Sequence, residues 1–333
     1  MELKSTCLMH VSPRAIECRP IELPPPSETQ VIAQGLFSAI STGTERLIFE
    51  GKLEEDVSLD ANLSSIQGES SAYPFPYGYC WTGRIEHVGQ GVEDLAAGDM
   101  IFAFAPHQSR HVLEARDCIK IPATLTPQLA TLLPTMETAL SIVHDANPIA
   151  GEEIAVFGQG IVGKLTAWIL NQFPLGSLRV IEPNIQQHQS CRDLGLENIH
   201  TAEQLKNITP ADTCIEISGN PIGLRDAIAH TKANGKVIAA SWYGTRTAEL
   251  GLGTHFHRGR IQLISSQVSH LNPKLLGTWS KERRLQFAID LLTRFPHTAL
   301  ETQSIPFSDC THGYQDLMNS PQTSGHTYFH YGD

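Results

Sequence analysis

The chain contains no CxxC pair. Its seven cysteines, at 7, 18, 80, 118, 191, 214 and 310, are odd in number and scattered. That spacing offers neither a structural zinc cluster nor a disulfide framework, so each cysteine reads as a small buried residue or an idle thiol. A sustained Lys/Arg face is also missing, and the formal charge is −11 over 333 residues. Both facts argue against nucleic acid as a partner. No apolar run reaches the roughly 20 residues needed to span a bilayer, and Met1 to Cys7 lacks the apolar core of a signal peptide. The expectation is a cytoplasmic protein with no membrane partner. Internal repeats and low-complexity tracts are absent too. What is present, 41% hydrophobic and 18% charged residues, suffices for a large core and two domains.

The most informative stretch is Gly158-Gln-Gly160-Ile-Val-Gly163. It follows the apolar run Ile154 to Phe157 and opens the helix-like segment from Lys164 to Asn171. In a strand–turn–helix of this kind the first glycine permits the tight turn, the second lets backbone approach a pyrophosphate, and the third lets helix pack on strand. The phosphates then meet the helix N-terminus at Ile161 and Val162. Arg179 to Glu182 reads as the next strand, and Glu182 ends it about 20 residues on, where a carboxylate holds the adenosine ribose hydroxyls. A carboxylate repels a 2′-phosphate, and Pro183 to Gln186 supply no base, so NAD(H) is favoured over NADP(H), with Arg192 the nearest residue able to oppose that preference. Gly219 and Ser241, beyond two later strands, complete the expected cofactor-binding set.

The pattern along the chain changes twice. Residues 1–144 read as short strands broken by Pro and Gly, a β-rich unit. Residues 145–272 alternate strands (Ile154 to Phe157, Leu178 to Glu182, Thr213 to Ile217, Lys236 to Ser241, Ile261 to Ser265) with helices, which implies a parallel sheet. Residues 273–333 are too short to bury a core alone and are expected to complete the first unit. The polar stretch 53–72 reads as a surface excursion or lid.

This organisation resembles the medium-chain dehydrogenase/reductase superfamily. Ser38-Ala-Ile-Ser-Thr-Gly-Thr-Glu45 is similar to its catalytic loop, Tyr77-Gly-Tyr-Cys-Trp-Thr-Gly83 to its Gly-His-Glu segment, Val88-Gly-Gln-Gly-Val92 and Ala97-Gly-Asp99 to the turns that follow, and Met136-Glu-Thr-Ala-Leu140 to the helix leading into the cofactor domain. The resemblance implies an α/β protein: a GroES-like β-rich catalytic domain joined to a Rossmann dinucleotide-binding domain with a parallel sheet. It further implies an oxidoreductase acting on CH–OH donors, and a homodimer paired through the late strand Ile261 to Ser265. The Ser-Thr-Gly-Thr-Glu loop and the Gly-Tyr segment together resemble the branch that contains bacteriochlorophyllide dehydrogenase.

The departures from the zinc enzymes of that superfamily carry as much information. Their catalytic zinc takes a Cys, the His of Gly-His-Glu and a Cys or Glu, with one open position. Those places here hold Ser41, Tyr79 and Glu137, and the four-cysteine lobe is missing between Asp99 and His111. The expectation is a zinc-free protein with no metal ligands. Polarising the substrate oxygen then falls to hydrogen-bond donors or acids. Thr44 sits where relatives start a proton relay, or it caps a helix near Glu45. Tyr79 donates to the substrate, or it fills the emptied metal pocket. Glu137, on an apolar helix, is a general acid/base or a structural acceptor, since a lone buried carboxylate is costly. His107 ends a relay, or it is one of fifteen histidines without a catalytic role. Cys80 lacks an activating base. His255 and His257 have no third metal ligand in view, and Arg258 and Arg260 suit a partner subunit or an anionic substrate.

The resulting expectation is hydride transfer between NAD(H) and a secondary alcohol or ketone, on a small-molecule substrate that includes bulky ones. Two readings compete: an NAD(P)H-dependent quinone or enone reductase, and a non-catalytic NAD(H)-binding sensor.

Overall fold

The computed structural model describes residues 3–53, 72–320 and 325–332. Most of the polar stretch 53–72 lies outside them. Two compact units emerge, residues 1–134 with 302–333, and residues 135–301. The return to the first unit begins at Thr302 and not at 273. The helix Lys281–Arg294 is held to the second unit by Arg284, which reaches Glu137 and Ser141 on the helix Leu133–Ala146.

The first unit is β-rich, as its punctuation by Pro and Gly implies. A seven-stranded sheet runs Thr302–Pro306, His326–His330, Gln30–Ala39, Trp81–Val88, Met100–Ala103 and Ile119–Lys120, with Arg110–Glu114 also paired to Gln30–Ala39. Its core includes Val31, Ala33, Trp81, Ile85 and Ile101. Gly83 is required by packing: a Cβ there would lie 2.1 Å from the Trp81 ring. A separate hairpin, Leu3–Ser12 with Ala15–Leu23, turns through Arg14 at φ 62° and adds Phe75–Pro76 at its edge.

Two of the scattered cysteines do pair. Cys18 on that hairpin is disulfide-bonded to Cys310, which opens the helix Cys310–Asn319, across 292 residues of sequence. Sequence spacing carries no trace of this contact, because folding alone lays the C-terminal helix against the N-terminal hairpin.

The second unit is a doubly wound sheet. Six parallel strands run in the order Ile199–His200, Ser177–Ile181, Glu153–Phe157, Ala211–Glu216, Thr231–Ala239 and Gln262–Ser265. Strand order reverses beside Glu153–Phe157, which places the glycine turn at the carboxyl end of the sheet at its switch point. Among the described residues no helix is long and apolar enough to cross a membrane.

Candidate active site

The glycine turn is built as its sequence predicts. Gly158 has φ 96°, and a Cβ on it would meet Ser218 Cα at 2.6 Å. Gly163 packs so closely that a Cβ would lie 2.1 Å from the Gly158 carbonyl, whereas a Cβ on Gly160 would meet nothing within 4 Å. The outer glycines therefore serve the turn and the packing, and the middle one faces open space where backbone can approach a ligand. Gly160 caps the helix Ile161–Leu170, so the free N–H groups at Ile161 and Val162 form its anion-attracting end.

Glu182 follows the strand Ser177–Ile181 directly. One carboxylate oxygen accepts the backbone N–H of Gln159 at 2.8 Å and the other that of Asn184 at 2.8 Å. The carboxylate is thereby braced against the turn itself. Arg192, the nearby base, is exposed. Gly219, at φ 69°, donates its N–H to Ser241 Oγ at 2.8 Å, joining the last two members of the predicted set at the ends of neighbouring strands.

In the first unit, strand Gln30–Ala39 delivers the loop that starts the helix Thr42–Phe49. Ser41 is its N-cap residue, yet the Ser41 hydroxyl makes no capping hydrogen bond. Thr44 consequently lies inside the first turn and is not the cap. Ser41 Oγ instead accepts the Tyr79 phenol at 2.5 Å, and the Thr44 hydroxyl beside that phenol works to lower its pKa. Burial raises the Tyr79 hydroxyl far above its ordinary range, so it stays protonated and acts as a donor. The sequence brought Thr44 and Tyr79 forward separately; folding places them side by side.

Behind this loop lies a buried polar array. Glu45 and His107 are fully buried, and His107 Nε2 lies 3.1 Å from Glu45 Oε2. Glu45 Oε1 accepts the Ser41 backbone N–H at 2.7 Å. His107 Nδ1 lies 2.7 Å from Ser38 Oγ, which is 2.7 Å from Tyr331 Oη. Burial works to raise the Glu45 carboxyl, but the charge and hydrogen bond of His107 and the Ser41 N–H hold it below the usual carboxylate range. His107 is seated on Gly78, whose φ of 127° and missing Cβ leave room for the ring; a Cβ would come within 2.9 Å of the His107 backbone nitrogen. The Ser–His–Glu order invites comparison with a hydrolytic triad. Ser38 is fully buried, however, and cannot reach a substrate.

Glu137 belongs to the second unit and has a partner no sequence pattern announced. Its Oε1 accepts Nε and Nη2 of Arg284 at 3.1 and 3.0 Å. Burial holds the Glu137 carboxyl above its ordinary range, partly countered by Arg284. Cys80 is buried, and burial pushes its thiol well above the usual value, as an inert residue requires. His255 is tied to the Thr231 carbonyl at 2.8 Å. Among the described residues no group of three His, Cys, Asp or Glu is arranged to hold a metal ion.

No family model matches the chain. It is 25% identical over 203 residues to (R,R)-butanediol dehydrogenase of Bacillus subtilis, covering 50% of this chain and 59% of the relative. The crystal structure of 2R,3R-butanediol dehydrogenase from that organism superposes with a TM-score of 0.78 at 16% identity, over 98% of this chain and 99% of the other. The chain shares the fold of these dehydrogenases, as its resemblance to the medium-chain dehydrogenase/reductase superfamily implies. A second relative, D-guloside 3-dehydrogenase of Escherichia coli, is 26% identical over 233 residues, 66% of each chain. The fold is shared also by a short chain alcohol dehydrogenase of Escherichia coli complexed with NADH, at a TM-score of 0.77 and 14% identity over 98% of this chain and 99% of that one. The chain thus spans about 59 to 66% of the length of these two curated relatives. The residues that sequence reasoning passed over are Glu45 and Ser38, whose only signal was their place in the Ser38 to Glu45 loop; Ser41 was singled out only as an occupant of a zinc-ligand position, not as the acceptor of the Tyr79 phenol.

Proposed function

We propose that the protein is an NAD(H)-dependent, zinc-independent oxidoreductase that interconverts a secondary alcohol and a ketone. The observation that carries this reading is the Glu182 carboxylate braced on the Gln159 N–H of the glycine turn. An acceptor held there suits two ribose hydroxyls and opposes a 2′-phosphate. The bound nicotinamide supplies or takes the hydride.

The remaining chemistry is assigned to Ser41, Tyr79 and Thr44. Tyr79 donates to Ser41 Oγ, which turns the Ser41 proton away from the phenol and polarises it towards a substrate oxygen. The proton that must accompany hydride transfer to a ketone then reaches its oxygen from Ser41 and is replaced from Tyr79, whose phenol recovers its own proton in the same movement from solvent by way of the Thr44 hydroxyl beside it. The residues at the superfamily's zinc positions do not fit that metal. Ser41 and Tyr79 bond each other, and Glu137 bonds Arg284. That leaves no three ligands with a fourth position open.

The test is NADH-coupled turnover with a panel of ketones and polyols, including acetoin and (R,R)-2,3-butanediol, alongside elemental analysis of protein purified without chelator. Turnover with far less than one zinc per chain is the expected result. One zinc per chain, removed only with loss of activity, defeats the zinc-independent reading. Tight NADH binding without turnover on any of the panel favours a sensor, and preferential use of NADPH on quinones or enones favours a reductase of that class.

A further inference from the structure

A helix beginning at a serine ordinarily uses the serine hydroxyl to accept an N–H of its own first turn. Ser41 does not, because its Oγ is engaged by Tyr79. What holds the loop instead is Glu45, whose Oε1 accepts the Ser41 backbone N–H at 2.7 Å while Oε2 takes the His107 ring at 3.1 Å. A fully buried carboxylate is costly unless both oxygens are satisfied. Here they are, by one backbone donor of the loop and one imidazole fixed from behind by Ser38 and Tyr331.

We propose that Glu45 and His107 form a positioning pair, in which the carboxylate clamps the Ser41 backbone so that the Ser41 hydroxyl remains free to accept the Tyr79 phenol and to donate to substrate. The function assigned to the Ser41–Tyr79 pair rests on the oxidoreductase reading above; the clamp itself does not. Proton positions follow from the partners. A carboxylate only accepts, so His107 carries a proton on Nε2 whatever its charge.

Replacing Glu45 by Gln makes the inference testable. Gln Oε1 can keep the Ser41 N–H only if its NH2 faces His107, and Nε2 must then give up its proton and become the acceptor. The proton moves to Nδ1, which donates to Ser38. If the amide sits the other way, Nε2 keeps its proton but two N–H donors face each other at Ser41.

The experiment is 15N-histidine and low-field proton NMR of wild type, Glu45→Gln and Glu45→Ala, with the Tyr79 hydroxyl proton assigned by its loss in Tyr79→Phe. The expected result is a protonated Nε2 on His107 in wild type, transfer to Nδ1 in Glu45→Gln with the Tyr79 resonance kept, and loss of that resonance in Glu45→Ala. On whichever ketone of the panel the wild type reduces best, Glu45→Ala should lower kcat at least about tenfold with the KM for NADH unchanged, roughly the effect of a misplaced donor. A Tyr79 resonance that persists in Glu45→Ala overturns the proposal. If Glu45→Ala does not fold, a Glu45→Gln protein that keeps both the Nε2 proton and the Tyr79 resonance overturns it equally. Should the wild type turn over no substrate, the oxidoreductase reading fails, but the two resonances still decide the clamp.

Discussion

Glu137 and Arg284 meet through a single carboxylate oxygen, at 3.0 Å from Nη2 and 3.1 Å from Nε, on two helices 147 residues apart in sequence. The remaining guanidinium hydrogens go to Ser141 Oγ and to the carbonyls of Val268 and His270. The arginine is 2% exposed, so its charge depends on this cage. Removing the carboxylate strands a buried cation, which typically costs about 3–5 kcal/mol. Glu137→Ala should lose that much stability in chemical denaturation, and Glu137→Gln less, since its amide oxygen still accepts. Full stability combined with lost turnover in Glu137→Gln would return the residue to the acid–base role that its sequence context also allows.

Removing the Tyr79 hydroxyl tests the proposed donor chain. Tyr79→Phe and Ser41→Ala should each lower NADH-dependent turnover by about 10²- to 10³-fold, the range for losing one preorganised donor. NADH affinity should be almost unchanged, because neither residue belongs to the glycine-turn unit. Equal turnover of wild type and Tyr79→Phe would reduce the tyrosine to a space-filling role.

The proposed cofactor choice is tested at Glu182. Glu182→Ala removes both the proposed ribose acceptor and the brace on Gln159, and about 1.4 kcal/mol of lost binding corresponds to a tenfold weaker NADH complex. Fluorescence titration should show that loss for NADH, with NADPH affinity unchanged or improved. Tighter binding of NADPH than NADH by the wild type would show the NAD(H) assignment to be wrong.

Three buried histidines set an acid limit. Burial lowers the pKa of His10, His111 and His326 to about 4. For His326 in particular, burial is the leading cause, opposed by a hydrogen bond with the Gln128 carbonyl. The unfolded chain takes up these protons near pH 6.5, whereas the folded chain resists them until about pH 4. Their contribution is therefore complete above about pH 6.5 and is lost as pH falls towards 4, at roughly 1.4 kcal/mol per pH unit for each histidine. Melting temperature should fall steadily over that window. A flat profile from about pH 7 to 5 would mean that these rings are protonated in the folded protein.

The strand Gln262–Ser265 ends the parallel sheet, paired on one side with Thr231–Ala239, and Leu263 on it is 40% exposed. An open apolar edge invites pairing with a second copy. Light scattering at micromolar concentration should give a dimer mass, and Leu263→Lys should shift it towards monomer. A monomeric wild type would contradict the proposed homodimer.

Local signals were legible in the sequence wherever chemistry acts over short distances. The glycine turn, the strand before it and Glu182 after the next strand follow from steric rules that operate within a few residues, and Gly158 and Gly163 occupy the tight positions those rules demand. The alternation of strand and helix beyond residue 145 likewise announced a parallel sheet. Partners were not legible. Glu137 looked like an isolated carboxylate on an apolar helix, and Cys18 and Cys310 like unrelated thiols, because their mates lie 147 and 292 residues away. Thr44, Tyr79 and His107 stood out by residue type, but nothing local showed that Ser41 and Glu45 join them. A buried polar group must find its complement wherever the chain passes. Sequence by itself determined which groups would be buried or turned; the tertiary structure alone decided which of them satisfy one another.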